Sequence, residues 1–243
     1  MMRVTEYPDP PEAPEPEALE GFQFLSELKG AREAWRLPLA LRRLSRLPKG
    51  DGSQVILIPG WMAPEESMAA LRWFLRRQDY DARYWGLGVN RGNPESDSEI
   101  LVEQVAALVA ETGQKVTLVG WSLGGVIARE TARQLPEGVL QVITYGTPVI
   151  GGPTFTPAAK TYGESECQRI SELIVEMDEQ MPITTPISSI FTRNDRVVSW
   201  PACIDRSSPN VTHYEVRSTH ISMGFDPDVW RIILECLGRF DRQ

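Results

Sequence analysis

Histidine and cysteine are scarce, with two and three residues respectively in a chain of 243. Cys167, Cys203 and Cys236 lie far apart, show no metal-ligand spacing and leave one thiol over in any disulfide scheme. With so few ligands a metal cluster is not expected, and neither is an organic cofactor. No run approaches the roughly 18 consecutive apolar residues that a membrane-spanning helix needs. Positive charge is also in deficit. Lys plus Arg is 25 against 33 Asp plus Glu, a net charge of −8, with a pI near 5.0. That excludes the electrostatic footprint of a general nucleic-acid binder. The first twenty residues lack the basic-then-apolar order of a secretory leader, so the expected address is the cytoplasm. What remains is ordinary for a globular protein: 42% apolar and 24% charged, enough to bury one core.

The charge is unevenly spread. Residues 1–20 carry Glu6, Asp9, Glu12, Glu15, Glu17 and Glu20 with five prolines, and are expected to form a disordered acidic tail. Residues 21–49 reverse the sign and place Leu25, Leu28, Trp35, Leu41 and Leu44 near helical spacing among arginines. Pro38 should break or kink this segment, giving two short amphipathic helices. Such a basic face can make weak contact with an anionic membrane surface. Packing on the body with the arginines exposed is preferred, because the acidic tail opposes attraction to anionic lipid.

Residues 50–243 read as one domain of alternating strands and helices. Strands are expected at Val55–Ile58, Ala82–Trp85, Val116–Val119, Val139–Tyr145, Ile187–Thr192 and His213–Arg217. Helices are expected at Ser67–Gln78, Ser98–Thr112, Val126–Gln134, Cys167–Met177 and Val229–Phe240. The alternation predicts a mostly parallel α/β sheet of about six strands with helices on both faces. Residues 149–186 are too long for a plain crossover and are expected to form a small lid insertion.

Gly120-Trp121-Ser122-Leu123-Gly124 follows the apolar run Val116–Val119 and precedes a second glycine and a helix. This is Gly-x-Ser-x-Gly in the strand–turn–helix setting of a nucleophile elbow, where a tight turn demands glycine two positions either side of the serine. A serine hydroxyl needs a base, and the base needs an orienting acid. His220, on the loop after the last strand, is the candidate base; His213, within that strand, reads as structural. Asp195, after Ile187–Thr192, is the candidate acid, with Asp205 the alternative and Asp226 a helix cap. The oxyanion donors are expected to be the N–H of Leu123 and that of Trp61, in Pro59-Gly60-Trp61-Met62, with Met62 the alternative. Gly86-Leu87-Gly88-Val89-Asn90-Arg91-Gly92 lacks dinucleotide-loop spacing and reads as a turn edging the site.

Together these residues resemble the α/β-hydrolase superfamily, and within it the bacterial lipase- and esterase-like serine hydrolases, over roughly residues 50–240. The resemblance implies the catalytic order Ser122, Asp195, His220, with Leu123 and Trp61 as oxyanion donors. Two departures stand out. The usual His-Gly of the oxyanion loop is Pro59-Gly60, which removes a side chain that often braces it, and the first antiparallel strand pair is missing. Met62, Trp121, Phe155, Trp200 and Ile221 are the expected lining of an apolar acyl pocket. The expected activity is hydrolysis of a small-molecule carboxylic ester through an acyl-enzyme. Thioesterase, amidase or acyltransferase chemistry on the same residues, or a catalytically silent binding protein, are the alternatives.

Overall fold

Each run expected as a strand after residue 50 becomes one, with helices between them in sequence. The structure, a computed structural model, describes residues 4–19 and 31–240. Seven strands, β1 (Thr5–Tyr7), β2 (Gln54–Ile58), β3 (Asp81–Tyr84), β4 (Val116–Trp121), β5 (Val139–Tyr145), β6 (Ile187–Thr192) and β7 (Val211–Val216), form one sheet. Their order is β1-β7-β6-β5-β4-β2-β3. All neighbours run parallel except β1, which is antiparallel to β7. β2 and β6 are buried along their whole lengths, as strands covered on both faces should be.

The helices are α1 (Ala31–Leu44), α2 (Ala69–Arg77), α3 (Pro94–Thr112), α4 (Leu123–Gln134), α5 (Ala159–Tyr162), α6 (Glu164–Gln180) and α7 (Pro227–Phe240). On one face of the sheet, Leu37 and Leu44 of α1, Phe74 of α2 and Trp230 and Ile233 of α7 share a core. On the other, Leu101 and Val105 of α3 and Ile127 and Ala128 of α4 share a second. Residues 149–186 form a 3-10 turn followed by α5 and α6 between β5 and β6. This insertion is thinly packed: Cys167 is the buried residue of α6, while Leu173 and Val175 are exposed. Arg133 fastens its far end to α4, donating to the Met177 and Met181 carbonyls and to Asp178. Among the described residues no helix is long and apolar enough to cross a membrane.

The N-terminal expectations need correction. The acidic stretch is ordered over residues 4–19. β1 pairs Thr5, Glu6 and Tyr7 with Glu215, Tyr214 and His213, and the Tyr7 hydroxyl donates to Glu215 at 2.9 Å. Pro11 is buried, Ala13 packs on a third apolar cluster, and the Glu17 N–H donates to Ser199 Oγ at 3.3 Å. Composition offered no apolar surface to order this segment, but the open edge of β7 offers unpaired backbone groups. The sheet therefore has seven strands rather than about six.

Pro38 does not split the basic segment; it lies inside one helix. Burial of Leu37, Ala40 and Leu44 outweighs the cost of a proline in a helix interior, about 3 kcal/mol. The other expected helix, around Leu25 and Leu28, lies outside the described residues. α1 packs on the body, ion-pairs Arg36 with Asp228, and leaves Arg42 and Arg43 exposed, as is Arg46 just beyond it. Leu39 on the same helix is 81% exposed.

Candidate active site

At the end of β4 the chain reverses sharply through Ser122, whose backbone stands at φ 53 and ψ −122. This is costly for a residue with a side chain, roughly 1–3 kcal/mol, and such strain gathers at functional sites. The neighbours explain how it is held. A Cβ on Gly120 would lie 2.4 Å from the Gly124 carbonyl oxygen, and one on Gly124 would lie 2.3 Å from that of Ile58. The Ser122 N–H donates to the Tyr145 carbonyl at 2.9 Å. Its own carbonyl accepts from the Gly125 N–H at 2.9 Å and the Thr147 hydroxyl at 3.0 Å. Leu123 opens α4, so its N–H has no intrahelical acceptor.

The loop after β6 shapes a carboxylate receptor. Asp195 Oδ1 accepts from the N–H groups of Val197 (2.8 Å) and Val198 (2.7 Å). Oδ2 is left to face Nδ1 of His220 at 2.7 Å, with both side chains buried. An ionised carboxylate only accepts, so Nδ1 carries the imidazole proton and Nε2 keeps a lone pair. Two further bonds tie the loops together: the Thr192 hydroxyl donates to the Ser218 carbonyl at 2.7 Å and the Asn194 amide to that of Arg217 at 2.9 Å.

His220 meets the serine turn through Trp121 and the end of β5 through Gly146. Its ring lies 6.0 Å from that of Trp121, the residue before Ser122. It also lies against Gly146, at φ 60 just after β5, where a Cβ would come within 2.9 Å of Nδ1. Ser122, Asp195 and His220 thus occupy the carboxyl ends of β4, β6 and β7, the side on which an open parallel sheet forms its ligand crevice.

The loop after β2, expected to supply an oxyanion donor, is equally well defined. A Cβ on Gly60 would sit 3.4 Å from Ser122 Cβ, so the backbone passes close beside the serine. Met62, at φ 56, gives its N–H to the Asn90 carbonyl at 2.7 Å. Among the described residues the Trp61 N–H has no acceptor. Of the two donors considered, only that of Trp61 is available.

Asp205, the alternative acid, is engaged elsewhere. It forms a buried ion pair with Arg129 and accepts from the Ser207 and Ser208 N–H groups at 3.0 Å each. Burial opposes its charge, but Arg129 and the Ser208 donors prevail and hold the carboxyl below its usual range. The Asp205 N–H donates to Nε2 of His213 at 3.0 Å. Burial pushes the His213 imidazole down to about 4. Asp226 accepts from the Asp228 N–H at 2.9 Å, at the start of α7.

The expected pocket residues divide. Trp121 stacks on Tyr145, with ring centroids 6.2 Å apart. Trp61, Met62 and Ile221 are exposed beside it, Met62 by 59%. Phe155 and Trp200 are different: both pack on the cluster of Phe191, Val198 and Ile204 behind the Asp195 loop. Trp200 lies between Phe191 and the Arg193 guanidinium. These two are corrected from pocket lining to support of the acid loop, because Phe191 and Val198 offer them apolar surface there. Tyr162 of the insertion donates to the Gly92 carbonyl at 3.2 Å. A Cβ on Gly92 would lie 2.8 Å from the Trp61 indole nitrogen, so the Gly86–Gly92 turn does edge this region. Sequence reasoning overlooked Gly146, Thr147 and Asn90; a Gly-Thr pair directly after a buried strand was the available signal for the first two. Among the described residues no three His, Cys, Asp or Glu side chains gather as a metal site.

No family model matches the chain. A pimeloyl-[acyl-carrier protein] methyl ester esterase of Aliivibrio salmonicida is 29% identical over 140 residues, 56% of this chain and 50% of that protein. One from Aliivibrio fischeri is 31% identical over 112 residues, 44% and 40% of the two chains. The chain thus spans half or less of the length of these curated relatives. Among solved structures, one of the metagenome-derived lipolytic enzymes LipS and LipT superposes with a TM-score of 0.59 at 18% identity, over 80% of this chain and 95% of that one. Bacillus licheniformis lipase BlEst2 gives 0.58 at 14% identity, over 79% and 94%. The chain has the α/β-hydrolase fold. Within that fold, β1, the one antiparallel strand among the described residues, adds to the β7 edge, and the insertion after β5 lies on the serine side through Tyr162.

Proposed function

We propose that this α/β-hydrolase-fold protein is a serine hydrolase of carboxylic esters that works through an acyl-enzyme. The observation that carries the reading is the buried 2.7 Å contact of His220 Nδ1 with Asp195 Oδ2 beside the strained Ser122 turn. In this reading Ser122 Oγ attacks the ester carbonyl carbon while its proton passes to His220 Nε2. The carbonyl oxygen becomes an oxyanion held by the N–H groups of Leu123 and Trp61. The tetrahedral species collapses, the C–O bond to the alcohol breaks, and the departing oxygen takes the proton from His220. Water then attacks the acyl-serine, giving its proton to the same nitrogen, and Ser122 is regenerated with release of the acid. Asp195 fixes the tautomer and stabilises the imidazolium throughout.

The apolar surface of Trp61, Met62, Trp121 and Ile221 favours an uncharged ester with a hydrophobic acyl group. The names of the relatives, a methyl ester esterase and lipolytic enzymes, favour ester over thioester or amide. A chain-length series of 4-nitrophenyl esters tests this. Turnover that rises with acyl length and vanishes in Ser122→Ala is expected; no hydrolysis of any ester would overturn it.

A further inference from the structure

Pro59 has no polar side chain with which to fix the oxyanion loop, and Met62 beside it holds a positive φ. Something else must keep this turn in shape, and one residue touches it at three points. Asn90, fully buried on the turn between β3 and α3, donates from Nδ2 to the Pro59 carbonyl at 2.8 Å. Its backbone carbonyl accepts the Met62 N–H at 2.7 Å, and its N–H donates to the Ala63 carbonyl at 3.1 Å. Its Oδ1 accepts the Gly92 N–H at 3.1 Å, which fixes the side chain in the orientation that serves Pro59. The Ala63 N–H closes the turn on the Gly60 carbonyl at 3.1 Å. Among the described residues the Trp61 N–H, like that of Gly60, has no acceptor, whereas those of Met62 and Ala63 are engaged.

We propose that Asn90 is the positioning residue of the oxyanion hole: it clamps Pro59, Met62 and Ala63 so that the Trp61 N–H points at the developing oxyanion. Its side chain anchors the entry of the turn and its backbone the exit, with Trp61 between. The Pro59 carbonyl it binds also lies against α4, since a Cβ on Gly124 would come within 2.6 Å of that oxygen. The clamp therefore sets the oxyanion loop relative to the helix that carries the other donor, Leu123. It needs no contact with substrate. The proposal rests on the ester-hydrolase reading of the same site.

Asn90→Asp keeps the shape and Oδ1 but removes the donor to Pro59; Asn90→Ser serves if the carboxylate prevents folding. In the full-length chain, kcat/KM for 4-nitrophenyl butyrate should fall about 10- to 100-fold, carried by kcat. Affinity for an alkyl trifluoromethyl ketone, which forms a tetrahedral adduct on serine, should fall by a similar factor. The pH midpoint of the basic group should stay in place, because His220 and Asp195 are untouched. A kcat/KM within about twofold of the unsubstituted chain, a loss confined to KM, a shifted pH midpoint, or failure of both variants to fold would overturn the proposal. If the unsubstituted chain hydrolyses no ester but reacts with a fluorophosphonate, the ester reading fails alone. The inactivation rates of the variants then decide the role of Asn90. If it does neither, both readings fall.

Discussion

Nδ1 of His220 lies 2.7 Å from Oδ2 of Asp195, while Oδ1 of the same carboxylate is held by two backbone N–H groups. The carboxylate is thus fixed before it meets the imidazole. Asp195→Asn should keep the loop but present an amide to Nδ1 and favour the wrong tautomer. Turnover of a 4-nitrophenyl ester should drop by up to about 10⁴-fold, the scale of the equivalent change in a serine protease. Steady-state kinetics on the purified variant check this; an unchanged kcat would remove Asp195 from the mechanism.

Asp205→Asn should behave in the opposite way. It strands the buried Arg129 guanidinium, and breaking such a pair costs roughly 3–5 kcal/mol. Urea unfolding should show the loss of stability, while the folded fraction keeps its kcat. A collapse of kcat with normal stability would make Asp205 the acid after all.

Gly146→Ala places a methyl group against the His220 ring, 2.9 Å from Nδ1, at a φ of 60 that a side chain resists. We expect at least about a tenfold loss of kcat from a displaced imidazole. Displacement of the His220 ring signals in NMR spectra would show the cause, and a variant as active as the parent would contradict it.

His213 predicts a pH dependence of stability. Its folded-state pKa, pushed from 6.5 down to about 4 by burial, means that the unfolded chain binds a proton the folded one refuses. The stabilising contribution is complete above about pH 6.5 and is lost as pH falls toward 4, on the order of 3 kcal/mol in all. Asp205, Arg129 and Arg206 are the charged groups that act on it. The unfolding midpoint should fall across this window, and His213→Gln should flatten the slope. An equal slope in that variant would assign the effect to other groups.

Much of this was legible because the forces are local. The serine turn requires glycine at fixed offsets, so Gly120 and Gly124 declare it within five residues. The scarcity of histidine left His220 almost without competitors. Asp195 sits where an apolar strand ends, which is a one-dimensional signal. What stayed hidden depends on distant partners. Asn90 acts on Pro59 across 31 positions, and nothing in its own neighbourhood announces that. Pro38 is tolerated because residues far along the chain bury the turns around it. Residue type alone puts Phe155 and Trp200 in a pocket, because it cannot tell a pocket wall from a buttress. The acidic stretch was judged on its own composition, whereas its order comes from the edge of β7.

Removing residues 1–8 should therefore expose that edge. We expect a lower thermal midpoint and concentration-dependent association through unpaired backbone groups. Scattering and thermal unfolding at several protein concentrations test this; a monomeric variant of equal stability would show that β1 is dispensable.

The pairing of Tyr7 with Glu215 spans 208 positions, so the first strand of the sheet cannot pair before β7 is made. During synthesis it stays without this partner until β7 has been made. Few loops in the molecule are longer to close, and closure of long loops slows folding. The strand it awaits leads directly into the His220 loop, so the sheet edge and the site draw on the same late stretch of chain. A ribosome-bound intermediate would carry the serine turn long before it could use it.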